Sequence, residues 1–397
     1  MTLRGSGVVV GKTAATPLPT INQTERQRYV ITKHKKQNAA KRAENKTARW
    51  LAAPGLILIG IFTIIPISLA LTLGFTNAQL LAPTNPDFTG LNNFKTLLGV
   101  SAVTLHAEKN ADGSCVKDET GEIAYEPIRP LTRDDSPRKD LRGKSEVRRV
   151  FANEKDCSIK VIVAGDPVFW RSLTNTFFFA LIVVPVQAGL ALVLALLVNQ
   201  RLKGRNFFRT VYFIPTLSSM VVISMLWRFM YQSDGLINKS IASFMPGYAP
   251  IDWLGNPKTA MPAIIVLSIW QAVGYHMIIW LGGLQTIPAE LYEAAEVDGA
   301  SRWQQFKNIT WPMALPTTAV VVAYTTIQSF RAFDLVYAMT QGGPNNASDV
   351  LVTLIYNTAF ASYKFGYASA QSVLLVVMVV LITWLQRRTL RVNYGDK

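Results

Sequence analysis

Long stretches without any charge alternate along the chain with short blocks dense in Lys and Arg. No residue from Trp50 to Gly74 is charged, and the next charge is Asp87. Further uncharged runs extend from Ser172 to Gln200, from Thr210 to Trp227, and between Lys258 and Glu290. Two more lie between Lys307 and Arg331 and between Lys364 and Arg387. About 20 apolar residues cross the hydrocarbon core of a bilayer as one helix. The pattern therefore predicts an all-α polytopic membrane protein with about six transmembrane helices. Pro54, Pro66, Pro185, Pro215, Pro262 and Pro316 fall in or near these runs. Neighbouring helices can re-satisfy the carbonyls that such prolines free, so they do not argue against spans.

Charge then sets orientation. Of the 397 residues half are apolar, yet the formal net charge is +15. Cytoplasmic loops of membrane proteins collect Lys and Arg, so the excess requires no nucleic-acid partner. The tail before the first span, the turn with Arg201, Lys203, Arg205 and Arg209, and the end with Arg387, Arg388 and Arg391 are the basic blocks. With six spans all three fall on one side, which places both termini in the cytoplasm of a cell bounded by this plasma membrane. Residues 1–48 read as a basic, largely disordered tail, residues 49–76 as the first span, and 391–397 as a short cytoplasmic end. Gly7 to Thr13 imitates a phosphate-binding loop, but its spacing is off by one residue and no strand–helix context surrounds it. ATP is not expected to bind there.

Residues 77–169 are too long for a plain connection and mix acids with bases. Strand-like pieces such as Ser158 to Val163 predict a small folded extracytoplasmic insertion between the first and second spans. The only cysteines, Cys115 and Cys157, both lie in it. Outside the cytoplasm such a pair is expected to be bridged, stapling a lobe too small to stand on its core alone; two unrelated buried thiols are the alternative.

Between the fourth and fifth runs the chain reads Glu293-Ala294-Ala295-Glu296-Val297-Asp298-Gly299-Ala300, followed by Phe306, Ile309, Pro312 and Pro316. A short helix from Pro288 to Val297 with early acids, a stop at Gly299 and a second helix from Ser301 to Ile309 are predicted. The resulting helix–turn–helix would lie on the cytoplasmic face. It resembles the cytoplasmic loop of permease subunits of bacterial ATP-binding-cassette importers, which begins Glu-Ala-Ala and continues to Gly, Phe, Ile and Pro at fixed offsets. A second stretch, Phe333 to Tyr337 and on to Gly342-Gly343-Pro344, is similar to the carbohydrate-uptake branch that includes the maltose and glycerol-phosphate permeases. The resemblance covers most of residues 50–390 and leaves out the tail and much of the insertion.

It implies that residues 170–390 form a five-helix permease core whose loop at 288–311 is a coupling element. Glu293, Ala294, Ala295, Asp298, Gly299, Ala300 and Phe306 would seat in a cleft of a separate ATPase. The implied partners are a second homologous permease subunit, an ATPase dimer that uses ATP and Mg²⁺, and an extracytoplasmic sugar-binding protein. This chain would bind no cofactor and no metal and would catalyse nothing. Its three histidines, His34, His106 and His276, are indeed scattered, without nucleophile–base or metal-ligand spacing. The implied substrate is a sugar, with maltose- or trehalose-type oligosaccharides ahead of glycerol-phosphate-like solutes. A self-contained secondary transporter is the rival reading.

Sugar recognition calls for amides and hydroxyls beside flat rings near the middle of the bilayer. Gln271 and Tyr275 share one helix face, and Thr325, Gln328, Ser329 and Ala332 share another. They are the expected cavity lining; hydrogen bonding between helices is the alternative. Arg331 and Asp334 stand three apart and predict a local ion pair, with an anionic ligand for Arg331 as the other possibility.

Overall fold

The computed structural model describes residues 48 and 50–389, apart from 80, 82–84, 111–113, 119–121, 134, 154–155 and 201–203. The expected tail, the Gly7–Thr13 stretch, Arg201, Lys203 and the C-terminal end from residue 390 lie outside the described residues. Two units divide at Ser68 and Leu69. Helix α1, Trp50–Leu73, is apolar on every face and contains one π turn at Gly60–Ile64. A helix apolar all round is one built for lipid or for burial between other helices.

In the second unit a short helix, α2 (Asn92–Leu98), leads into a three-stranded antiparallel sheet. Its strands β1 (Val100–His106), β2 (Ser145–Asn153) and β3 (Ser158–Ala164) are ordered β1-β3-β2, and a single turn of helix, α3 (Arg129–Thr132), lies between the first two. Alternation decides the faces. Ile159, Val161 and Val163 pair with Leu105, Val103 and Ser101, and the apolar ones join Leu141 in a buried cluster against Ile128 and Leu131. Cys115 and Cys157 are joined by a disulfide that ties the segment after β1 to the start of β3. The Trp170 indole donates to the Leu97 carbonyl at 2.9 Å, fixing the lobe to the helix that follows.

That helix, α4 (Pro167–Asn199), has 33 residues, about 50 Å at 1.5 Å per residue, and outruns the hydrocarbon core. Asp166 caps it by accepting from the Phe169 N–H at 2.9 Å. The expected third span is not one helix. It is broken into α5 (Arg205–Leu217) and α6 (Met220–Met230), bent by 97° at Ser218 and Ser219. Pro215 removes a backbone donor near the end of α5, and both serines take extended backbone angles. After α7 (Leu236–Phe244) comes α8 (Ala260–Leu284), the central helix. A Cβ at Gly274 would collide with the Tyr212 carbonyl oxygen, so this glycine sets how closely α5 and α8 approach.

Beyond α8 lie α9 (Ala289–Val297), α10 (Arg302–Gln305, continued by a π turn to Thr310) and α11 (Trp311–Phe330). The chain ends with α12 (Asp334–Thr340), α13 (Leu351–Tyr356, with a π turn to Ala361) and α14 (Phe365–Thr389). Among the described residues four helices are long and apolar enough to span a membrane, and a fifth span results if the bent pair counts as one. The remaining expected span corresponds to α11, whose 20 residues give about 30 Å of helix but include four threonines, Gln328 and Ser329. Two apolar clusters hold the bundle together, one joining α4 and α8 to α12 and the other joining α4 and α8 to α11. One gathers Phe179, Val183, Ile264, Val336 and Met339. The other gathers Ala188, Ala191, Ala195, Met277, Trp280 and Val321. On α4 and α8 a polar band falls between the two.

Candidate functional site

That band encloses a cavity of about 430 Å³. All six expected lining residues, Gln271, Tyr275, Thr325, Gln328, Ser329 and Ala332, are on its wall. Helical spacing brings each set to one face, and the crossing of α8 with α11 brings the faces together. Tyr275 and Tyr324 have ring centroids 5.3 Å apart, and the Tyr324 and His276 rings lie 5.7 Å apart. The Thr325 hydroxyl donates to the Val321 carbonyl at 2.7 Å, which leaves it only acceptor capacity for a ligand. The Thr216 hydroxyl donates to the Gln271 carbonyl at 2.9 Å, pinning the end of α5 to the wall just ahead of the helix break.

Lining residues that went unseen in the sequence include Gln187 on α4 and His276 on α8. Each is 2% exposed and carries a buried nitrogen without a hydrogen-bond partner, Gln187 Nε2 and His276 Nε2. Ser329 Oγ, on a residue 3% exposed, is a third such atom on the same wall. The His276 Nδ1 sits 2.8 Å from the Ala272 carbonyl oxygen, which can only accept. Nδ1 therefore carries the proton, and Nε2 of the neutral ring is an acceptor. The wall thus offers an amide donor, an imidazole acceptor and a hydroxyl, all desolvated and all unspent. A lone Gln and a His beside a Tyr gave no spacing signal; only the fold brings both residues to one cavity wall.

Arg331 and Asp334 also line the cavity, but the expected ion pair between them is not formed. Among the described residues the ion pairs are Arg138–Asp140 and Arg149–Glu146, both in the lobe that carries the sheet. Arg331 ends α11 and Asp334 opens α12, so the helix break between them turns the two side chains off a common helix face. Beyond α12 the loop with Gly342-Gly343-Pro344 is strapped to α4. Asn175 Nδ2 donates to the Asn346 and Asp349 carbonyls at 3.0 and 2.9 Å, and the Ser172 hydroxyl donates to Asp349 Oδ2 at 3.2 Å. Burial pushes the Asp349 carboxyl up to about 6, against the opposing pull of the Ser172 bond.

At the far end of α8 and α11 the chain forms a surface hairpin of two short helices. Glu293, Ala294, Asp298 and Gly299 are exposed there, while Ala295, Ala300 and Phe306 are half-buried. Gly299 has φ +74°, and its N–H donates to the Glu296 carbonyl at 3.0 Å while the Ala300 N–H donates to the Ala295 carbonyl at 2.9 Å. This left-handed cap closes α9. Ser301 and Gln304 form a reciprocal capping box that opens α10. The Tyr292 hydroxyl meets the Thr310 hydroxyl at 2.9 Å and locks the two helices at a fixed angle.

Residues 169–391 match the model of the family described as binding-protein-dependent transport system inner membrane component. The chain belongs to this family. It is therefore a permease component of an ATP-binding-cassette transporter, with ATP hydrolysis performed by another subunit. The lactose transport system permease protein LacF of Rhizobium radiobacter is 38% identical over 226 residues, 56% of this chain and 76% of that protein. The trehalose/maltose transport system permease protein MalF of Thermococcus litoralis is 37% identical over 216 residues, 54% of this chain and 72% of that one. A chain of a bacterial ABC transporter involved in the import of the acidic polysaccharide alginate shares the fold, with TM-score 0.63 at 20% identity over 89% of this chain and 100% of that one. The matched sequence coincides with the helical bundle from α4 onward and excludes α1 and the lobe that carries the sheet.

Proposed function

We propose that this permease component carries a sugar through the cavity on α4, α8 and α11, with maltose- or trehalose-type oligosaccharides as the favoured cargo. The carrying observation is the set of three desolvated, unspent polar atoms, Gln187 Nε2, His276 Nε2 and Ser329 Oγ, on one wall beside Tyr275 and Tyr324. Each such atom left empty costs about 1–3 kcal/mol. A hydroxyl-rich ligand with an apolar ring face relieves all three at once. The names of the LacF and MalF relatives, lactose and trehalose/maltose, support the sugar class. Both termini lie in the cytoplasm, as the basic blocks require. The hairpin at Glu293–Phe306 seats in an ATPase subunit that uses ATP and Mg²⁺, a second permease subunit pairs with this one, and an extracytoplasmic sugar-binding protein delivers the cargo.

The test is uptake into liposomes by the reconstituted complex with its binding protein. Gln187→Leu or His276→Phe lowers sugar uptake by at least about tenfold, the loss of one bond to a desolvated partner, while assembly with the ATPase is unchanged. Wild-type-like uptake by both variants would falsify the assignment. A second reading has one observation in its favour: Arg331 lines the cavity without an ion pair, as an anionic, glycerol-phosphate-like solute would need. Asp334 on the same wall counts against it.

A further inference from the structure

Five aromatic rings lead away from the cavity. Phe333 is on its wall, and its ring centroid lies 5.1 Å from that of Tyr337 on α12 and 5.0 Å from that of Tyr356 at the end of α13. Tyr356 stands 5.1 Å from Phe360, and Phe360 stands 5.5 Å from Phe365, the first residue of α14. Tyr337 and Tyr356 are themselves 5.1 Å apart, so Phe333, Tyr337 and Tyr356 form a triangle from which Phe360 and Phe365 lead on. None of the five rings is buried, and Phe360 is 54% exposed. None belongs to the apolar clusters that hold the bundle together. Rings that serve as core filling are buried; these form a surface strip.

The strip ends beside Lys364, where the Gly366 N–H donates to the Ala78 carbonyl at 2.9 Å, in the segment that leads toward the lobe carrying the disulfide. It therefore runs from the cavity toward the lobe's side of the bundle. The strip begins on the wall of the polar cavity and ends at Phe365, the first residue of α14. Tyr337 and Tyr356 add hydroxyls to otherwise apolar faces, the combination that suits a molecule with one flat C–H face and a rim of hydroxyls.

We propose that Phe333, Tyr337, Tyr356, Phe360 and Phe365 form an aromatic track on which successive sugar rings of an oligosaccharide stack as it enters the cavity. The inference rests on the sugar reading of the cavity and deepens it: the cargo is a chain of several units. The negative face of each ring attracts the polarised C–H bonds of a pyranose. Several partly exposed rings in contact give more than one shallow stacking site, which favours passage over trapping.

The test uses the complete complex in liposomes, at saturating binding protein, with glucose, maltose, maltotriose, maltopentaose, galactose and lactose as cargo. Tyr356→Leu and Phe360→Leu keep apolar volume and remove the ring. The expected result is a roughly fivefold slower uptake of the longest sugar that wild type imports, with its shortest one within about twofold of wild type. Equal losses for long and short sugars, no change for either, or less assembled complex on size exclusion would each overturn the track, the last by pointing to subunit packing. Import of monosaccharides alone by wild type would overturn it as well. The cavity assignment falls separately: if Gln187→Leu is inert while wild type still imports sugar, the site is elsewhere; if wild type imports no sugar, both readings fail.

Discussion

Gln187, His276 and Ser329 are the residues on which the proposed transport site rests. Each buries a hydrogen-bonding atom without a partner, as Trp280 Nε1 in the apolar core also does, so the missing bond points to a ligand only together with the cavity beside it. Asp349 adds a charge to the same question: its buried carboxyl has Oδ2 held by Ser172 while Oδ1 has no partner. Its folded-state pKa of about 6 stands above the ordinary 3.8, so the folded protein holds this proton more tightly than the unfolded chain. Stability from this group is full below about pH 4 and is lost as pH rises through 6. Wild type in detergent is expected to melt at lower temperature at pH 7.5 than at pH 4.5 through this group, by roughly 2 kcal/mol of stability. Asp349→Asn removes that part of the slope; an unchanged pH profile in the variant would count against the assignment. At this scale the sequence was only half legible. Spacing on one helix exposes Gln271 with Tyr275, or Thr325 with Ser329, because i and i+4 share a face. Gln187 stands alone on α4, and nothing local distinguishes it from an amide that bonds a neighbouring helix.

Elements obey the same division. Charge-free runs mark spans because hydrocarbon rejects charge along the whole length of a helix, and every such run contains helix in the structure. The break at Ser218 and Ser219 was not legible, since Pro215 alone is compatible with a mere kink and the flanking residues are apolar on both sides. The end of α9 was legible because one residue type explains it: Gly299 at φ +74° is where L side chains are strained by about 1–2 kcal/mol. This geometry makes a graded prediction. Gly299→Val is expected to leave the protein inserted in the membrane but to cut uptake more than about tenfold, because the hairpin changes its angle. Gly299→Asn, whose side chain tolerates the left-handed region, is expected to keep uptake within about twofold of wild type. Equal uptake by the Val and Asn variants would mean that the backbone turn itself is not what the partner reads.

Across the whole molecule, the hairpin and the cavity are joined by the shortest possible connections. Leu284 ends α8 and Ala289 starts α9, while the turn ending at Thr310 continues without interruption into α11. The two helices that supply Gln271, His276, Thr325 and Ser329 are therefore the two that bracket the hairpin. If the hairpin is the proposed coupling element, its displacement by a partner would move both cavity walls as rigid rods, and no long chain of side-chain contacts would be needed to carry it. The exposed hairpin surface mixes acids, Glu290, Glu293, Glu296 and Asp298, with the exposed apolar side chains Leu291, Val297 and Trp303. Exposed apolar side chains interspersed with acids suit a cleft lined by basic groups. Glu293→Lys places like charge against that cleft. It is expected to reduce the ATPase recovered with the purified permease more than about tenfold at low salt, and to abolish sugar-stimulated ATP hydrolysis. Restoration by a compensating acid on the ATPase would assign the contact to this pair. Gln187→Leu should behave in the opposite way, holding the ATPase normally while sugar no longer passes. Retention of the ATPase by Glu293→Lys together with full uptake would show that force enters the bundle somewhere other than the hairpin, and α8 and α11 would then need another drive.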